Sequence, residues 1–289
     1  MLPQASVIIP HFNDLTGLKL CLTSLERCSR LDQVEIIVVN NAPSPLDAAF
    51  QKSFSNVRFL CEEKRGAAHA RNTGVQHARG AILIFTDSDC EVASDFLHVA
   101  LMLGKHNGVC GGAIKMKAPE RPNPIQAYEQ IFAFNQQHYI KEKGFSVTAN
   151  LVTNINVFQK VGPFRDGLSE DYDWCQRAAS IGYQTSYQPD LVVTHPCRAS
   201  WSDLRKKWKR ITQETYALHR LNNRPTYLWV LRAFAMPVSI AAHMPRIVVS
   251  RRLVSPVSRL AALYVLARLR LWRMGEMLRI AAVQSKAEG

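Results

Sequence analysis

The amino-acid sequence predicts an α/β fold, a Rossmann-like, doubly wound and mostly parallel sheet with helices on both faces, followed by a basic amphipathic helical extension. Short apolar runs without a helical period alternate with helical stripes through the first two hundred residues, the pattern of a parallel sheet with crossover helices. One such run, Ile82 to Phe85, stops on two carboxylates, Asp87 and Asp89, at the strand end where open α/β sheets hold ligands. The net charge of +13 is also concentrated: residues 200–289 carry 17 Lys and Arg against 4 Asp and Glu, whereas residues 1–199 carry 19 of each. A neutral body with a basic tail suits an enzyme held at an acidic surface.

Each element follows from its own stretch of sequence. Ser6-Val-Ile-Ile-Pro10 is a strand closed by proline, and His11-Phe-Asn-Asp14 is the loop beyond it. Leucines at 15, 18, 22 and 25 make a helical stripe. Val34 to Val39 is a second buried strand ending in Asn40-Asn41, residues 42–51 form a polar connector or short helix, and Val57 to Leu60 is a third strand. A helix opens at Gly66 and runs to about Ala78, and Gly80 starts the central strand. Phe96 to Leu103 reads as a helix, and Gly108 to Ile114 as a strand whose glycines leave room for a ligand. Residues 118–145 are polar and aromatic and read as a lid or acceptor loop. Ser169 is placed to cap a helix whose first turn holds Glu170, Asp171 and Asp173, as the helix dipole prefers. For Asp173 that helix-start role is the whole reading. Tyr187 to Thr194 is a last strand, ending at His195.

Seven cysteines, at 21, 28, 61, 90, 110, 175 and 197, are odd in number and without CxxC spacing, which argues against a disulfide framework or zinc knuckle and for a reducing compartment. Met1 leads within a few residues into Val7 to Ile9 with no basic region before it, so no secretory signal is expected.

Asp87 and Asp89 stand at i and i+2. On an extended segment both carboxylates point the same way and can face one hard cation, whose other positions take water and phosphate oxygens. Taken alone, the two residues fit a solvated turn after a strand equally well.

The residues taken together resemble a known family. Ser-Val-Ile-Ile-Pro, Val-Val-Asn-Asn, Arg-Gly-Ala-Ala-His-Ala-Arg-Asn-Thr-Gly and Phe-Thr-Asp-Ser-Asp occur in the order and spacing of the nucleotide-binding half of family 2 glycosyltransferases with the GT-A fold. The match covers roughly the first ninety residues. The resemblance implies a GT-A domain over residues 1–200, with a nucleotide-binding half (1–92) and an acceptor half (93–200). It further implies inverting transfer of a sugar from a nucleotide-diphosphate sugar, with UDP favoured, to a hydroxyl of a glycan or lipid-linked acceptor, as in cell-surface polysaccharide synthesis. Pro10, Phe12, Asn40, Arg65, Arg71, Asp87, Ser88 and Asp89 would line the donor site. A divalent cation, Mn or Mg, would be held by Asp89, with Asp87 assisting and His195 completing the site. Asp171 would be the base that deprotonates the acceptor, with Glu170 the alternative.

Two departures matter. The family usually has aspartate where this chain has Asn40, and an amide offers donors as well as an acceptor, which leaves uridine, guanosine and deoxythymidine all open as the donor's base. The glycines that often accompany the Thr148–Asn156 segment are missing. Two other functions fit the same fold class. A sugar-phosphate nucleotidyltransferase would carry a glycine-rich, lysine-bearing loop after the first strand, unlike His11-Phe-Asn-Asp14. A non-catalytic membrane-bound scaffold would have no need of carboxylates at 87, 89, 170 and 171.

Residues 201–289 read as a membrane-associating tail. Trp201 to Arg210 interleaves tryptophan with five cations, and with no nucleic-acid fold beside it this suits a membrane interface better than nucleic acid. Residues 227–242 are apolar but interrupted by Arg232 and Pro237, short of the ~20 residues a spanning helix needs. Leu260, Leu263, Tyr264, Ala267, Leu271, Met274 and Leu278 make an apolar stripe, flanked by Arg259, Arg268, Arg270, Arg273 and Arg279 that could snorkel to phosphate headgroups. The expected location is cytoplasmic, peripheral or monotopic on the inner face of the cell membrane.

Overall fold

A computed structural model describes the backbone of residues 2–288 and the side chains of residues 2–283. The chain groups into two compact units. The first comprises Met1–Lys115, Asn135–Asp166 and Glu170–His195; the second comprises Met116–Phe134, Gly167–Ser169 and Pro196–Gly289.

The first unit is built on an eight-stranded sheet. In chain order its elements are strand β1 (Ala5–His11), helix α1 (Leu15–Glu26), β2 (Val34–Asn40), α2 (Ala48–Lys52), β3 (Val57–Cys61), α3 (Ala67–Gln76), β4 (Ile82–Thr86), β5 (Glu91–Val92) and α4 (Phe96–Gly104). Then come β6 (Val109–Lys117), helix α5 (Pro124–Phe132), which belongs to the second unit, and, back in the first, α6 (Gln136–Lys143), β7 (Asn150–Asn154), α7 (Ile155–Val161), α8 (Glu170–Ser180) and β8 (Thr185–Pro196). The strand order is β3-β2-β1-β4-β7-β6-β8-β5. β1 pairs in parallel with β2 and β4, and β2 with β3. β7 runs antiparallel to β4 and β6, so the parallel character belongs to the first half.

The parallel strands are buried on both faces, which is why they read as unbroken apolar runs instead of alternating ones. One face packs on α1 and α4 through Val7, Ile9, Leu18, Leu22 and Phe96; the other packs Ile8, Leu83 and Phe85 against Trp174 of α8. Gly80 enters β4 against the backbone of β1, where an added Cβ would lie 2.3 Å from the Ala5 carbonyl carbon. Gly112 on β6 is equally constrained, its Cβ meeting the Leu191 carbonyl oxygen at 2.0 Å and Asn150 Nδ2 at 2.4 Å. The β6 glycines therefore admit a neighbouring strand and a buried asparagine, not the ligand expected from their sequence.

The expected loop at 118–145 holds two helices. Asn123 accepts from the backbone of Gln126 while the Gln126 side chain accepts from the backbone of Asn123, and Pro124 occupies the first helical position, so α5 has a complete capping box. α6 ends on Gly144, whose positive φ closes the helix.

The second unit packs α5 with α9 (Trp201–Leu221), α10 (Thr226–Val248) and α11 (Pro256–Glu288). Ile125 and Tyr128 of α5 share a core with Leu204, Ile247, Val265 and Leu266. α10 continues through Pro237 and Pro245 for 23 residues, so it exceeds the short apolar run expected from sequence. By length and composition it is the one helix among the described residues able to cross a membrane.

Glu129, fully buried on α5, accepts from Arg198 at 3.1 Å and Lys207 at 3.3 Å. Burial alone would raise its pKa, but the Lys207 and Arg198 charges outweigh that and hold it below the usual range. Glu129→Gln is expected to cost about 3 kcal/mol at pH 7, because it leaves two cations without their buried partner. The folded pKa is depressed, so this contribution is complete above the unfolded value of about 4.3 and is lost as pH falls through the folded value. In urea titrations the gap between variant and wild type should therefore narrow below about pH 4.

Candidate active site

The carboxyl ends of β1, β2 and β4 open on one edge of the sheet, and most of the residues singled out from sequence lie there. At β1, Pro10 is half-buried in register with Val39, and Phe12, just beyond the strand, is 46% exposed. The Arg65 guanidinium stands 5.4 Å above the centre of that ring, so the two form a flat cationic-aromatic platform of the kind that accepts a base.

Asn40, at the end of β2, is 2% exposed, and its amide is engaged inside the protein. Its oxygen accepts from His11 Nδ1 at 3.1 Å and its nitrogen donates to the Ser44 carbonyl at 2.9 Å. His11 Nε2 in turn accepts from the Asp14 backbone at 3.2 Å, which puts the proton on Nδ1. Asn40 thus positions the β1 and β2 loops, a different role from the open base acceptor that the resemblance implied. Asn41 performs a similar task, donating to the carbonyls of Glu62 and Lys64 and accepting from the Gly66 backbone, which shapes the entry to α3. Gly66 sits there at φ +135°, where side chains are strained.

Arg71, on the first turns of α3, is the electrostatic centre of the unit. Its side chain is 4% exposed; Nη2 donates to Asp87 at 2.7 Å and Nη1 to Glu170 at 2.7 Å. The end of β4 and the start of α8 are thus tied by one guanidinium, a planar fork suited to two carboxylates. Burial works against the charge of Arg71, but Asp87 and Glu170 overcome it and raise its pKa above the ordinary arginine value. The bridge across 16 and 99 residues of chain was not foreseen from sequence, which suggested only that Arg71 meets the nucleotide. A lone arginine early in a helix carries no local sign of two distant partners.

Asp89, two residues after Asp87, faces His195 at the end of β8, with Nε2 3.3 Å from Oδ2. Asp89, Cys90 and His195 offer ligand atoms within 4.8 Å of one another. Burial, followed by the charges of Asp87 and Asp89, drives the Cys90 thiol pKa well above its usual value. The Asp89 carboxylate and the His195 imidazole are one oxygen and one nitrogen donor at a partly open position, and that pair fits a divalent cation. Asp87 does not join it directly, being turned to Arg71. Ser88 lies half-buried between the two aspartates.

On α8, Glu170 is held by Arg71, whereas Asp171 Oδ1 accepts from the Tyr172 backbone at 2.7 Å. Asp173 pairs with Arg177 at 2.9 Å and Arg165 at 3.5 Å, the helix-bound role read from sequence. Asn72, which drew no attention in the sequence, fastens α3 to the chain before α8 by exchanging both amide hydrogen bonds with the Phe164 backbone. The site therefore holds two carboxylates at fixed places on one buried cation, with Asp171 the next residue along α8 and Asp89 beside a histidine.

Known proteins share the family and the fold. A model of the family "Glycosyl transferase family 2" matches residues 6–164, a little over half the chain, and one of "Glycosyl transferase family group 2" matches residues 91–274. The chain is 28% identical over 249 residues to Glycosyltransferase AglE of Haloferax volcanii, covering 81% of this chain and 82% of that protein. Among solved structures it resembles the mannosyltransferase PcManGT from Pyrobaculum calidifontis in complex with GDP-Man and Mn2+, with TM-score 0.59 and 19% identity over 98% of this chain and 87% of that one. It also resembles GalNAc-T7 with UDP, GalNAc and Mn2+, with TM-score 0.55 and 17% identity over 73% of this chain and 47% of that one. At these identities the two structures establish the GT-A fold.

Proposed function

The chain belongs to glycosyl transferase family 2, and on that footing we propose that it moves a sugar from a nucleotide-diphosphate donor, a UDP-sugar first, to a hydroxyl of a glycan or lipid-linked acceptor with inversion at the anomeric carbon. The observation that carries this reading is the joining of Asp87 and Glu170 through Arg71, beside the Asp89–His195 pair.

Phe12 and Arg65 supply the platform for the base. Asp89 and His195 would hold a divalent cation, Mn or Mg, with Asp87 assisting through water or the ribose; imidazole in the donor set favours Mn. When bound, such an ion supplies Lewis-acid neutralisation of the leaving diphosphate. Solved neighbours of the same fold carry Mn2+ with GDP-Man and with UDP, which supports a cation and leaves the base to experiment. Arg71 fixes the distance between the donor carboxylates and α8. Glu170 is bound to that arginine, and Asp171, the next residue, takes the proton from the acceptor hydroxyl as it attacks in line. No covalent intermediate forms.

The second unit is read as the membrane-facing part, at the inner face of the cell membrane, where the acceptor would be a lipid-linked or surface glycan. Leu231, Phe234 and Val238 of α10 are 60%, 59% and 72% exposed, and Arg224, Arg246 and Arg251 lie beyond them. The stripe expected on α11 contributes less. Leu260, Tyr264 and Leu271 face out, but Leu263, Met274 and Leu278 pack inside the unit.

Calorimetry with UDP, GDP and dTDP, with and without Mn2+, on wild type and Asp89→Ala tests the donor site. One nucleotide is expected to bind, needing both metal and Asp89. If none binds under any condition the catalytic reading fails, and a non-catalytic scaffold becomes the better account.

A further inference from the structure

Arg273 of α11 was expected to snorkel outward, yet it is 6% exposed and lies over the Trp208 ring of α9, 4.2 Å from its centre. One turn earlier, Arg270 Nη1 meets only the Met236 sulfur, at 3.9 Å. Met236 is on α10, one turn after Arg232, which stands over Trp229. Three arginines thus converge between α10 and α11. Among the described residues, none of the three forms an ion pair or donates to an oxygen. Arg270 Nε, Arg273 Nε, Trp208 Nε1 and Tyr216 Oη are all buried without a hydrogen-bond partner.

Buried donors are ordinarily satisfied, and a buried cation ordinarily has its anion. Among the described residues of the second unit, Glu129 serves Arg198 and Lys207, Asp203 pairs with Lys206, Glu214 with Arg210 and Glu276 with Arg279, and Glu120 stands exposed ahead of α5. A group of donors with no acceptor is complementary to an anion brought from outside, and planar guanidinium forks match phosphate oxygens. Leu231 and Phe234, exposed on the same helix as Arg232, provide the apolar surface that an acyl or isoprenoid chain would follow.

We propose that Arg232, Arg270 and Arg273 form a phosphate-binding site for a membrane lipid, its headgroup phosphate seated between α10 and α11 and its hydrocarbon chain running along the exposed face of α10. The proposal rests on the membrane-facing reading of the second unit. Burial, reinforced by the neighbouring charge of Arg270 and opposed by Tyr128, depresses the Arg273 pKa to about 9.

The full chain can be sedimented with vesicles of phosphatidylcholine alone or with added phosphatidic acid, and its melting followed in inorganic phosphate against chloride of equal ionic strength. Arg270→Gln with Arg273→Gln should weaken binding to phosphatidic-acid vesicles at least about ten-fold more than the charge-matched pair Arg246→Gln with Arg251→Gln, whose losses measure general surface attraction. The inner pair should also melt no lower than wild type without lipid, because it removes an unpaired buried charge. Arg273→Lys, which keeps the charge but not the fork, should fall between and guards against a folding failure of the double variant.

Equal losses for the two pairs would overturn the site while leaving the membrane reading intact. If wild type ignores both kinds of vesicle, the membrane reading and the lipid site fall together. If the inner pair matters only for stabilisation by inorganic phosphate, the site takes a soluble phosphate and the lipid assignment is wrong. A lower melting point with unchanged vesicle binding would make the arginines structural.

Discussion

Asp171→Asn is expected to lower turnover by at least about 10²-fold while leaving nucleotide affinity near the wild-type value, the lower range for loss of a general base. The substitution keeps the shape of the side chain and its place on the first turn of α8, and its amide oxygen can still accept from Tyr172, but the amide cannot take a proton at neutral pH. Glu170→Gln should behave differently. It weakens one of the two charge-assisted bonds of Arg71, so its effect should appear in stability and donor binding as well as in turnover. Measuring kcat beside calorimetric affinity for the nucleotide separates the two residues. Unchanged turnover in Asp171→Asn would remove it from the role, and loss confined to Glu170→Gln would transfer the role to that residue.

The parallel half of the sheet was legible because burial on both faces leaves a plain mark. Residues 7–9, 36–39 and 82–85 have no polar face to show, and each stops one or two residues before its strand does. The helices at 124–143 were hidden by prolines and aromatics that read as a loop, although the Asn123-Pro124-x-Gln126 start signal was present in plain view. Glycines on β6 announced a close approach, but sequence could not say that the approaching group was the Leu191 carbonyl of another strand.

The site divides in the same way. Asp87, Asp89, Glu170 and Asp171 carry their own chemistry and were legible as residue types at strand and helix ends. What each carboxylate faces depends on strand order: β8 delivers His195 to Asp89, and α8 delivers Glu170 to Arg71. In the helical unit, periodicity revealed that α11 has an apolar stripe and not which neighbours cover it. Arginines that sequence placed at a membrane surface therefore lie partly inside, against Trp201 and Trp208.

Arg71→Met should destabilise the first unit by about 3 kcal/mol, at the low end for breaking a buried charge arrangement because Asp87 keeps 32% of its side chain in solvent. At about 2–4 °C per kcal/mol for a domain of this size, the melting point falls roughly 6–12 °C. The sign of the pH dependence follows from the raised pKa of Arg71. A folded value above the unfolded one means that its contribution is complete below about pH 12 and declines only above it, so the deficit should be constant from about pH 6 to 9. Methionine preserves much of the volume and removes the fork, so a melting point equal to wild type would mean that the bridge between β4 and α8 contributes nothing. Arg71→Lys makes the sharper comparison. An ammonium can meet Asp87 or Glu170 but is a poor substitute for a fork with both at 2.7 Å, so stability should recover in part while turnover stays low. Full recovery of turnover with lysine would show that charge alone suffices and that fixing the two carboxylates relative to one another is not what Arg71 does.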